Sequence, residues 1–316
     1  MISFHTLAVL LANTIAGSSV VPYQVDENGI FVMGSVGNFS TASDDLTPLY
    51  LVFTTVTMIV YESLDYDHSV VSAGQGRVLF QTANDTLIDG FYDERISIMR
   101  SGTIGTIHLI TLGVGPNSPL QSQHGSVVFL PFSNRNGSML LGILEDEFAS
   151  FCDTGTNFRV PFASPETGSR IYSQFRGRFF LINRFTNERI APTSTTTADR
   201  IGIVREYIYV PENLYEHISE LIPALLPNER FGNCERIRGI LPIIGLDLYA
   251  EYSNISGTLL FYPEDYTTET EEPDTCLLKV WRAPSVIGQG FDPFLLRQVN
   301  FRISNTHTTF CDAAVI

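Results

Sequence analysis

At 316 residues, 44% of them hydrophobic, the chain has enough material for two packed domains. Its formal net charge is −15, and a single one of its 19 cationic side chains, Lys279, is a lysine. Nucleic acid and anionic membrane surfaces are thereby excluded as partners, because both require clustered positive charge.

The chain opens with an apolar run, Leu7 to Leu11, followed by small residues from Ala16 to Ser18 where a signal peptidase can cut. This pattern predicts a signal peptide over 1–17 and export from the cell, although the segment before the run holds no Lys or Arg. The run is too short to span a bilayer, and no later segment reaches spanning length. Sequons at Asn38, Asn84, Asn136 and Asn254 suit a glycoprotein with surface loops.

Short β-rich runs separated by turn clusters then dominate: "SVVFLPF" at 126–132, "RFFLINRF" at 178–185 and "REYIYVP" at 205–211. They predict a mostly β protein. At 153–156 stands Asp-Thr-Gly-Thr, which suits a turn in which Asp bonds its own backbone and Gly takes positive φ. One helix is predicted, opened by Pro211, with Leu214, Ile218, Leu221 and Ile222 as its apolar stripe. The acidic run 264–274 reads as a solvated hairpin tip.

Four cysteines, Cys152, Cys234, Cys276 and Cys311, are too widely spaced for a zinc motif and allow three disulfide pairings. Cys234 with Cys276 is favoured, since the segment between them reads as a long hairpin that a bridge would close. The six histidines form no i, i+4 pair and no cluster with cysteine, so no metal site is expected. The Gly-rich stretches lack phosphate-loop and dinucleotide context, and no cofactor is expected.

From residue 202 onward an ordered series appears: "GIV" before the helix, Cys234, Leu241-Pro242, "PEDY" at 263–266, Cys276, Ile287-Gly288, Phe294-Leu295 and Phe310. In that order the series resembles the C-terminal lobe of the pepsin-like aspartic proteases. "GSMLLGILEDEF" at 137–148 is similar to the hairpin closing that family's N-terminal lobe, with Ile143 where a second Gly is expected, and "TLGVGPNSP" at 111–119 to its apolar-Gly loop. The resemblance implies a bilobal double β-barrel with an N-terminal lobe over 18–148 and a C-terminal lobe over 149–316. It also implies two catalytic Asp residues, one in an Asp-Thr/Ser-Gly loop of each lobe, sharing a single proton.

Carrying that pattern over, the first catalytic triplet falls on Phe53, Thr54 and Thr55 in "YLVFTTVTMIVYE", and the tyrosine of the substrate-covering flap on Ala73 in "VSAGQG". The second falls on Arg205, Glu206 and Tyr207, in a loop shortened by a few residues. Phenylalanine has no proton to share, and arginine stays protonated. Asp153 lies in the wrong slot and is read as a decoy, while Cys152 and Cys311 are brought together by the placement of their strands. The expectation is a secreted, monomeric pseudoenzyme, a binding or inhibitor protein that takes an extracellular protein or peptide in the interlobe cleft or on its surface loops. Its rivals are an active acid endopeptidase, in which Asp44, Asp45 or Asp153 meets another carboxylate such as Glu206, and a structural or decoy glycoprotein.

Overall fold

The computed structural model describes residues 19–26, 29–37, 46–53, 57–61, 69–100, 107–131, 136–163, 174–190, 199–204, 206–223, 225–226, 228–250, 254–285 and 288–314. The signal-peptide segment, Asn38, Asp44, Asp45, Thr54, Thr55 and Arg205 lie outside them. The chain is mostly β and divides into two compact units, one formed by 1–157 together with 298–316 and the other by 158–297. The division expected between 148 and 149 thus falls after Asn157, and the last strands belong to the first unit.

The first unit begins with β1 (Ser19–Asp26), β2 (Gly29–Gly37), β3 (Thr47–Val52), β4 (Met58–Tyr61), β5 (Ser69–Gln81), β6 (Leu87–Arg100) and β7 (Ile107–Gly113). Helix α1 (Pro119–His124), β8 (Ser126–Pro131), β9 (Asn136–Leu141) and α2 (Glu145–Phe148) follow. Ser118 starts α1 by accepting the Gln121 N–H on its side chain, with Pro119 in the first turn. β8 and the last five residues of β9 are buried, as their near-continuous apolar sequences require. β2 divides its pairing, with 31–34 against β3 and 34–37 against β5.

In the second unit the strands are β10 (Phe158–Pro161), β11 (Gln174–Ile182), β12 (Arg189–Ile190), β13 (Asp199–Ile203) and β14 (Ile208–Val210). Next come α3 (Glu212–Glu220), β15 (Arg230–Gly232), α4 (Cys234–Ile240), β16 (Ile243–Tyr249), β17 (Ile255–Phe261) and α5 (Pro263–Tyr266). The unit ends with β18 (Thr267–Glu269), β19 (Thr275–Leu278), β20 (Val280–Arg282) and β21 (Gln289–Phe291). Its main sheet runs β17-β16-β11-β13-β21-β14-β20, so the barrel expected for this half is an open sheet ending at β17 and β20. The expected helix is α3, with Leu214 and Ile218 fully buried. The chain then returns to the first unit as β22 (Val299–Ser304) and β23 (His307–Asp312), where β22 lies between β8 and β23.

Both disulfides form. Cys152 and Cys311 have Cα atoms 5.5 Å apart, and Cys234 and Cys276 5.7 Å. The first bridge sits against a core of Val20, Val128, Leu130, Leu140, Ile143, Phe148 and Phe151. Ile143, standing where the resemblance implies glycine, is a buried member of that core.

The acidic run is solvated at Glu264, Glu269 and 271–274 but buried at Tyr266 and Thr267. Tyr266 is buried and its hydroxyl donates to the Pro242 carbonyl, joining the "PEDY" and "LP" motifs. Asp265 caps α5 by accepting the Tyr262 N–H and lies 3.7 Å from the Arg297 guanidinium. Burial, opposed by that capping bond and by Arg297, pushes its carboxyl up from 3.8 to about 6. A carboxyl whose folded-state value is raised favours folding at pH below about 4, and that contribution is lost as pH rises through about 6. Asp265→Asn, which keeps the capping acceptor, is therefore expected to raise stability at neutral pH by up to about 3 kcal/mol. Urea denaturation below pH 4 is expected to show no gain; an equal gain at both pH values would contradict the assignment.

Candidate functional site

The two units share a strand arrangement. In the first, β7 runs parallel to β3 and antiparallel to β4, and β4 runs parallel to β6. In the second, β21 runs parallel to β13 and antiparallel to β14, and β14 runs parallel to β20. Each unit therefore carries one loop in the same topological position, leaving an apolar strand and returning to the far side of the strand beside it.

Register measures these loops. Tyr50 and Met58 both pair with Thr111, so the first loop, the excursion between them, is 51–57, seven residues, of which Leu51 and Val52 still pair within β3. Ile203 and Ile208 both pair with Phe291, so the second is 204–207, four residues. Phe53 lies in the first, Glu206 and Tyr207 in the second, and the second is shorter by three.

The first loop is held at its end by Thr57, fully buried, whose hydroxyl accepts the Gly113 N–H at 3.2 Å. Phe53 is half-buried, with its ring centroid 6.4 Å from Phe129 and 6.5 Å from Phe301, and those two stack at 5.0 Å. A carboxylate at Phe53 would lie beside the Phe129 and Phe301 rings, which offer no hydrogen bond to an ionised acid.

The second loop is fixed by Asp292, which the sequence reading passed over. Asp292 is 4% exposed; one carboxylate oxygen accepts the Glu206 N–H at 2.7 Å and the other the Phe294 N–H at 2.9 Å. Its own N–H donates to the Tyr207 carbonyl at 3.1 Å. That second contact also starts the short 3-10 turn Pro293–Leu295, so Asp-Pro was a legible turn signal and its partner was not. Glu206 has a left-handed φ of 70°, unusual for a residue with a side chain, and the Asp292 bond holds it there. Beneath the loop, a Cβ at Gly290 would come within 2.6 Å of Val204 and 2.8 Å of the Gly202 carbonyl, so only glycine lets β13 and β21 approach.

Tyr207 packs edge-on against Trp281, centroids 6.1 Å apart, and lies 6.1 Å from Tyr209. The Lys279 ammonium sits 5.0 Å from the centre of the Tyr207 ring. Burial first, and then the charge of Glu206, raises the hydroxyl pKa of both tyrosines, which stay protonated at neutral pH. Across loops 51–57 and 204–207 the sequence supplies one carboxylate, Glu206, and no aspartate.

Asp153 is an exposed turn residue. One of its carboxylate oxygens accepts the Thr154 N–H at 2.8 Å, its carbonyl accepts the Thr156 hydroxyl at 2.9 Å, and Gly155 takes φ 83°. Ala73, expected in the flap, lies inside β5 opposite Ser97. A register shift at Gly74–Gly76 absorbs the two glycines within the strand, and the hairpin reverses at 82–86, where the sequon residue Asn84 is exposed. Asn136 and Asn254 are exposed as well.

Among the described residues, no group of three or more His, Cys, Asp or Glu could hold a metal ion, and no helix is long and apolar enough to cross a membrane. No family model matches the chain, and no curated protein matches it.

Proposed function

We propose that the chain is a secreted, catalytically degenerate relative of the pepsin-like aspartic proteases, which binds an extracellular protein or peptide without cleaving it. The observation that carries this reading is the repeated strand arrangement, whose two equivalent loops, 51–57 and 204–207, offer a single carboxylate between them. Two such loops are what a bilobal aspartic protease uses to bring its acids together. One carboxylate cannot share a proton with a partner that is absent from the other loop.

Two further features favour the reading. Phe53 sits with Phe129 and Phe301, an apolar setting that suits a ligand held by burial. Two disulfides suit an oxidising compartment, hence export. The test is cleavage of a denatured protein substrate across acidic pH, with and without pepstatin. No turnover above buffer is expected for the wild-type chain or for Glu206→Gln. Pepstatin-sensitive turnover abolished by Asp153→Asn would restore the active-endopeptidase alternative.

A further inference from the structure

We propose that the aromatic face made by Tyr207, Tyr209 and Trp281 binds an arginine-bearing segment of a partner protein. The proposal rests on the reading of the chain as a binding protein and gives that reading a partner chemistry.

Strand alternation creates the face. Ile208, Val210 and Val280 are fully buried on one side of the β14–β20 ribbon, which turns Tyr209 and its register partner Trp281 to the other. Tyr207 joins them, and Trp281, the only tryptophan in the chain, remains 39% exposed. β20 ends the strand order of the sheet, so this face lies at one end of it. Tryptophan and tyrosine supply the largest share of contact energy where protein surfaces meet.

Charge selects the occupant. Ring faces are electron-rich, and one of them already holds a cation, the Lys279 ammonium over Tyr207. Glu206 is close enough to shift both tyrosines, while Glu212 and Arg282, paired at 2.8 Å, offset each other and Glu216 adds negative charge near that pair. The whole chain carries −15. A guanidinium, planar and weakly hydrated, stacks on aromatic rings better than an ammonium does and suits rings that lie near the Glu206 carboxylate.

The experiment uses Trp281 as its own reporter. A blocked octapeptide alternating arginine and glycine is titrated against the full chain while tryptophan emission is followed, with calorimetry in parallel. The expected result is a saturable emission shift, with binding at least ten-fold weaker when citrulline replaces arginine and several-fold weaker when lysine does. Tyr209→Ala, checked for its melting profile, and the milder Glu206→Gln are both expected to weaken calorimetric binding. Glu235→Gln, an exposed change on α4, is expected to leave it within two-fold. Binding that is insensitive to Tyr209→Ala yet falls equally with Glu235→Gln would mean diffuse attraction to an acidic surface and overturn the proposal. So would an emission shift produced by neutral oligosaccharides and not by the peptide. Failure here, with proteolysis still absent, removes this partner and leaves the non-catalytic reading standing; proteolysis in the cleavage assay would remove that reading itself.

Discussion

Replacing Cys152 and Cys311 together by alanine is expected to lower folding stability by about 4–5 kcal/mol. The bridge joins positions 159 residues apart, so in the unfolded chain it closes a very long loop and removes a correspondingly large conformational entropy. In the folded state it needs no rearrangement, since the Cα atoms stand 5.5 Å apart and Cys311 lies in a packed core. Urea denaturation followed by circular dichroism measures the loss. Reductant is expected to bring the wild-type chain to the level of the reduced double variant, and to lower the variant itself only through loss of Cys234–Cys276. A loss under about 1 kcal/mol would show that the unfolded chain stays compact without the bridge.

Arg189→Ala is expected to cost about 3–4 kcal/mol, more than its exposed position on the two-residue strand β12 suggests. Its guanidinium bonds the carboxylate of Asp247, whose side chain is 3% exposed, and lies 3.5 Å from the centroid of the Phe180 ring. Thr258 donates to the other Asp247 oxygen at 2.8 Å. Removing the arginine leaves a buried charge with a hydroxyl for company. The Arg189 side chain is 48% exposed and can be hydrated when Asp247 is the residue lost, so Asp247→Asn is expected to cost less. The pair Arg189→Ala with Asp247→Asn is expected to recover much of the single-variant loss, since it removes the unpaired charge. A thermodynamic cycle over these variants checks this, and additive losses would rule out coupling between the two side chains.

Several features were legible in the residues alone because their causes act over a few positions. Apolar runs gave β8, β11 and β14, and a proline followed by a stripe at helical spacing gave α3. Asp153 and Gly155 formed the turn that their side-chain chemistry and backbone freedom favour. Cys234 and Cys276, 42 residues apart, met as the favoured pairing required.

Other features were decided by pairing at long range, where no local preference operates. "VSAGQG" has the glycines of a turn, yet β6 pairs with Ser72, Ala73, Gly74 and Gly76 across two register shifts, and the hairpin reverses nearer residue 84. The final strands joined the first unit because Phe301 and Ile303 bury against β8, whose own residues lie more than 160 positions earlier. Asp292 and Asp247 look like any other aspartates in the sequence. One became the clasp of the 204–207 loop and the other half of a buried ion pair once folding removed water from around them and left hydrogen bonds as their only compensation. The sequence by itself determined which loops lack an acid, because side-chain chemistry is written residue by residue. That the loops 51–57 and 204–207 occupy equivalent positions was decided by the tertiary structure, since only strand register shows which residues share a partner.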